Sequence, residues 1–83
     1  MRAIFVQIKC GMGQAYKVAQ RAVDTIPELS EIFSTSGHYD LIGKFYLDND
    51  QDTGLFVTER VQNLPGVADT YTLITFNAFA RGG

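Results

Sequence analysis

The chain has 83 residues, of which 46% are hydrophobic, 12% aromatic and only 19% charged, and seven Lys and Arg against nine Asp and Glu leave a net charge of −2. That length holds one domain, residues 1–83, and a chain this short buries only about 60% of the surface it exposes when unfolded, so its core needs support. Cys10 is the only cysteine and His38 the only histidine, which excludes a disulfide framework and a zinc finger or ribbon; no metal or cofactor site is expected.

The remaining support for so small a fold is oligomerisation, and the composition favours apolar surface covered by a second copy. The basic residues Arg2, Lys9, Lys17, Arg21, Lys44, Arg60 and Arg81 are scattered, whereas autonomous nucleic-acid binders cluster their cations, so direct nucleic-acid binding is not expected. No apolar run approaches the ~20 residues that span a bilayer, and the first residues lack a cleavable leader pattern. A cytoplasmic protein with no membrane partner is expected.

In chain order, residues 3–9 (AIFVQIK) are rich in β-branched and aromatic side chains and stop at Cys10-Gly11-Met12-Gly13, which predicts a strand ended by a glycine loop. From Gln14 the period changes. Ala15, Val18, Ala19, Ala22, Val23 and Ile26 recur at helical spacing and Lys17, Gln20, Arg21 and Asp24 fall opposite, predicting an amphipathic helix closed by Pro27. Residues 29–36 and 41–47 predict two strands of an antiparallel hairpin joined through Gly37-His38-Tyr39-Asp40. Residues 53–63 predict a second helix on the apolar stripe Phe56, Val57, Val61 and Leu64, with Asp50 or Asp52 as its N-cap. After Pro65-Gly66, residues 67–79 alternate as a last strand. The order βαββαβ predicts an α+β, ferredoxin-like fold with an antiparallel sheet and both helices on one face.

Both parities of the strands are apolar: Ile4, Val6 and Ile8 against Ala3 and Phe5, and Ile74 and Phe76 against Tyr71 and Leu73. An antiparallel sheet with one face in water alternates more cleanly. The uncovered face is therefore expected to meet another sheet, most simply in a twofold dimer of the dimeric α+β barrel type.

Cys10-Gly11-Met12-Gly13 lies where a phosphate loop would sit, but Tyr16 replaces the third fingerprint glycine and no Walker lysine follows Gly13. A tight turn explains it better, and Cys10 reads as a packing residue. His38, Tyr39 and Asp40 suggest a proton relay, yet neighbours on an extended chain point to opposite sides. A turn with Gly37 at positive φ and Asp40 bonding local amides accounts for the same residues. Thr70 and Thr72 share one face at the start of an apolar strand, where their hydroxyls suit either a half-exposed strand or a small polar pocket.

Two segments carry more than turn chemistry. Ser36-Gly37-His38-Tyr39-Asp40-Leu41 resembles the Gly-x-Tyr-Asp hairpin of the effector domain, called RAM, of Lrp/AsnC transcriptional regulators. Leu64-Pro65-Gly66-Val67 with Thr70-Tyr71-Thr72 resembles that domain's Leu-Pro-Gly-Val-x-x-Thr-x-Thr segment, and the likeness runs from Ala3 to about Phe79. The chain resembles a stand-alone form of that domain, without the helix-turn-helix that full-length members carry. The resemblance implies sheet-packed homodimers, often assembled into octamer-like rings, with an amino acid or related small molecule held between dimers.

Carried over residue by residue, the ligand-binding positions are Gly37, His38, Tyr39, Asp40, Thr70 and Thr72, with no catalytic residues. Backbone amides near Gly37 and Tyr39 receive a carboxylate, Asp40 an ammonium, and the two threonines orient the polar end. The implied function is amino-acid sensing and oligomerisation that modulates transcription indirectly, with full-length Lrp/AsnC regulators as further partners. The competing reading is a small dimeric α+β barrel enzyme of the cofactor-free oxygenase or isomerase type, for which Tyr16, Tyr46, Tyr71 and Asn77 are available. A structural adaptor with an empty pocket is a third.

Overall fold

A computed structural model describes residues 1–81. The elements are β1 (Arg2–Cys10), α1 (Ala15–Thr25), β2 (Leu29–Ser34), β3 (Leu41–Leu47), α2 (Thr53–Phe56) running into a π-helical turn (Val57–Val61), and β4 (Val67–Ile74). All strand pairs are antiparallel and the sheet order is β2-β3-β1-β4. This is the ferredoxin-like α+β arrangement that the element order predicts.

β1 sits between β3 and β4, so its even-numbered side chains meet neighbours on both sides as well as the helices above. Ile4, Val6 and Ile8 are fully buried, with Leu41, Phe45 and Leu47 of β3 on the same face. Val18 and Ala22 of α1, Ile26, and Phe56, Val57 and Val61 close over them. The rings of Phe45 and Phe56 meet edge to face at 5.4 Å and 69°, a geometry favoured by the aromatic quadrupole. Gly43 lies under this contact. A Cβ there would stand 2.9 Å from Cε1 of Phe45, so the missing side chain makes room for the ring.

Where the structure departs from the sequence pattern, local bonding explains it. The second helix is not one α-helix over 53–63: Asp52 caps it, its carboxylate accepting from the Leu55 amide at 2.9 Å, but after Phe56 the turn widens and the Gln62 amide bonds the Val57 carbonyl at 2.8 Å. β-Branched Val57, Thr58 and Val61 weaken the α preference of so short a helix. β2 ends at Ser34 rather than Ser36, because Leu41 is the last β3 residue to pair with it. β4 ends at Ile74 rather than Phe79; it pairs Ile74 with Ile4, close to the beginning of β1. Among the described residues no helix is long and apolar enough to cross a membrane.

The other face of the sheet is bare. Phe5, Ile42, Lys44, Tyr46, Tyr71 and Leu73 stand on it, as the cross-strand pairs Phe5 with Lys44 and Phe5 with Leu73 require. Phe33, Tyr46, Tyr71 and Leu73 are exposed there.

Candidate functional site

Ile8 pairs with Leu41 on one side and Thr70 on the other. This register brings the end of β1, the β2–β3 loop and the start of β4 to one end of the sheet. The loop, residues 35–40, is closed by the Thr35 amide donating to the Asp40 carbonyl at 2.9 Å and by Thr35 Oγ1 donating to the Tyr39 carbonyl at 2.7 Å. It is also tied to β1: the Asp40 amide donates to the Ile8 carbonyl at 2.9 Å, Lys9 Nζ donates to the His38 carbonyl at 3.0 Å, and Asp40 Oδ2 accepts from the Cys10 amide at 2.7 Å.

Two expectations for this loop are corrected. Gly37 does not have a positive φ; among the described residues only Gly13 and Gly66 do, at 74° and 97°. A six-residue loop turns without a left-handed residue, whereas a two-residue hairpin needs one. Asp40 does not bond amides within its own turn either, because the nearer donor is the Cys10 amide across the strand pair.

The amides of Gly37, His38 and Tyr39 have no acceptor among the described residues, and Asp40 Oδ1 has no donor. Beside Asp40 lies an open cavity of about 400 Å³, walled by the glycine loop from Cys10 to Gly13 and by Ala15 and Tyr16. α1 starts there with neither a side-chain cap nor an acidic residue in its first turn. Within four consecutive residues the loop thus carries three unpaired N–H donors and one open carboxylate oxygen, and of these residues Asp40 lines the cavity.

The structure gathers Gly37, His38, Tyr39 and Asp40 in this loop and places Thr70 and Thr72 apart from them. The threonines pair with Ile8 and Val6 and so stand on the helix-covered face, across β1 from the loop by two strand spacings, roughly 10 Å. Tyr39 goes the other way. Its ring stacks on Tyr71, centroids 6.3 Å apart and planes at 27°, on the bare face. His38 is exposed. Thr70 Oγ1 accepts from Gln62 Nε2 at 2.8 Å.

Sequence reading missed three participants. Gln62 falls on the solvent side of an α-helical period, yet at the end of the π-helical turn its side chain reaches Thr70 of β4. Tyr71 was visible as an apolar residue of the bare face, but nothing in the spacing joins it to Tyr39. The Cys10 amide is backbone and leaves no compositional trace. The Cys10 thiol is pushed above its ordinary range, first by burial and then by the Asp40 carboxylate, with Lys9 opposing. A thiol held neutral in this way is a poor nucleophile, consistent with a packing role. Among the described residues no three His, Cys, Asp or Glu side chains gather as a metal site.

A single four-stranded antiparallel sheet with helices on one side and an uncovered apolar face on the other defines a ferredoxin-like α+β domain. The chain belongs to the Lrp/AsnC family: residues 3–83 match its ligand-binding domain. Among curated proteins it is 33% identical, over 70 residues, to the HTH-type transcriptional regulator FL11 of Pyrococcus furiosus, covering 84% of this chain and 45% of the regulator. The chain thus spans about half the length of that relative. The crystal structure of TTHA0845 from Thermus thermophilus superposes with a TM-score of 0.84 at 30% identity, over 98% of this chain and 100% of that one. The Neisseria meningitidis transcriptional regulator NMB0573, solved as its L-Met complex, shares the fold at a TM-score of 0.81 and 16% identity, over 95% of this chain and 52% of that one.

Proposed function

We propose that residues 1–83 act as one domain that senses an amino acid or a chemically related small molecule at the loop end of its sheet and translates occupancy into assembly. The observation that carries this reading is the juxtaposition of unpaired N–H groups at Gly37, His38 and Tyr39 with the open Oδ1 of Asp40. An α-amino acid presents a carboxylate and an ammonium a few ångströms apart. The loop amides suit the first and Asp40 the second, since hydrogen bonds with a charged partner are roughly twice as strong as neutral ones. The L-Met complex of a regulator with the same fold supports this class of ligand.

In this reading Thr70 and Thr72, separated from the loop by β1, border the site from a neighbouring copy's side, and His38 at the loop tip tunes the choice of ligand. The bare face pairs two copies, and dimers join into a ring at their loop ends. Binding at such a junction stabilises the assembled state by mass action and involves no reaction. The protein works in the cytoplasm and modulates transcription through full-length Lrp/AsnC regulators, in keeping with its net charge of −2 and scattered cations.

The test is thermal stabilisation and calorimetric titration across the common amino acids, repeated with Asp40→Asn. Asparagine keeps an acceptor for the Cys10 amide and removes the charge, whereas Asp40→Ala would also loosen the strand end. A selective ligand for the wild type, with affinity about 10-fold weaker in the variant, is expected. Identical titration curves would remove Asp40 from the site, and turnover of a ligand would favour the enzyme reading.

A further inference from the structure

β4 stops at Ile74, and the chain continues through residues 75–81 as an arm outside the sheet. Its root is fixed, because Thr75 Oγ1 donates to the Ala3 carbonyl at the beginning of β1. Beyond the root Phe76 and Phe79 are 94% and 93% exposed, more than any other aromatic side chain among the described residues. Leaving a large apolar side chain in water forgoes the free energy that its burial would supply. In a chain with so small a core, two such side chains on one segment ask for a partner.

The arm also builds a receptor. Together with Ala3, Phe5, Lys44 and Tyr46 of the bare face it walls an open trough of about 510 Å³. Lys44 Nζ stands 5.0 Å from the Tyr46 ring centroid on the trough floor. The two phenylalanines do not fill this trough, as their exposure shows. A single copy therefore carries an open trough, with Arg2 and Lys44 beside Phe5 and Tyr46, and on its wall an unburied aromatic segment; a twofold axis satisfies both at once, since an isologous contact presents each copy's arm to the other's trough.

We propose that residues 75–81 are an exchanged arm whose Phe76 and Phe79 dock in the trough of a second copy of this chain. The inference rests on the sheet-to-sheet dimer proposed above and names what clasps it. Burial areas favour the clasp. Four phenylalanines at roughly 150–250 Å² each supply about 600–1,000 Å², a large part of the 1,200–2,000 Å² or so that a stable interface buries. Phe33, Tyr71 and Leu73 of the two faces provide the remainder.

The experiment places a benzophenone amino acid at position 79 of the full chain and irradiates a mixture of tagged and untagged copies, with the dimer constant followed by sedimentation. An adduct between copies, mapping to the peptides that hold Phe5 or Tyr46, is expected. The Phe76→Ser, Phe79→Ser double variant is expected to keep its circular dichroism and to dissociate about 100-fold more readily. Adducts only within a copy, or an unchanged dissociation constant, in a protein that sediments as a dimer would overturn the arm and leave the dimer standing. A wild type that sediments as a monomer at micromolar concentration would overturn both.

Discussion

Asp40 Oδ2 holds the Cys10 amide at 2.7 Å while Oδ1 stays open, so one carboxylate serves the strand end and still faces outward. The cost falls on the Cys10 thiol, which burial and then Asp40 push upward. At a fixed pH below the thiol's pKa the thiolate fraction grows as that pKa falls. Asp40→Asn removes the second raising cause, so iodoacetamide should modify Cys10 several-fold faster, and an unchanged rate would show that the charge does not reach the thiol. Because the folded value lies above the unfolded one, the thiol's contribution to stability is complete below the ordinary thiol range and is lost as pH rises through the raised value. Urea midpoints should fall with pH there by less in Cys10→Ser. Gly66 is a second sensitive residue. Its φ is 97°, its carbonyl accepts from the Gly11 amide at 2.9 Å, and an added Cβ would stand 2.9 Å from Val18 Cγ2. Gly66→Ala should cost about 1–3 kcal/mol in urea unfolding.

The Asp52 cap offers a test at the level of the element: Asp52→Ala should lower stability by about 1 kcal/mol, read from the same unfolding curves. Phe45→Ala, which removes the ring between β3 and α2, should cost about 3–5 kcal/mol, a large share of the stability of so small a domain, read as a lowered urea midpoint. These elements were legible because burial is periodic. Ile4, Val6 and Ile8 announce a strand and Ala15 to Ile26 a helix, and the order of the elements then leaves few folds. The π-helical turn was not legible, since over so few residues the apolar positions Phe56, Val57 and Val61 fit a tight or a wide turn equally well. The end of β4 was hidden for another reason. Alternation continues to Phe79, but strand length depends on a partner: at Thr75 the side-chain hydroxyl bonds the Ala3 carbonyl, and no residue of β1 stands opposite Asn77 to Phe79. The candidate site was half legible. The loop residues come from one contiguous motif, whereas the split between Tyr39 on one face and Thr70 on the other depends on how a loop folds over an edge.

For the whole molecule, a core of this size and a bare apolar face predict that stability depends on concentration. The melting temperature should rise with protein concentration over a range spanning the dimer constant, and a flat dependence together with a monomeric mass would contradict pairing through the face. The Asp40 loop and the arm root are fixed to opposite ends of β1, at Cys10 and Ala3. Seven residue steps of strand, roughly 23 Å, lie between them. A change at one end should leave the other's energetics untouched, so Asp40→Asn and the double phenylalanine substitution should combine additively to within about 0.5 kcal/mol. Under the proposed function, that spacing would free the two halves of the job to evolve independently: a lineage could retune which metabolite it answers to without unfastening the pair, or trade its twin for a cousin while keeping its palate.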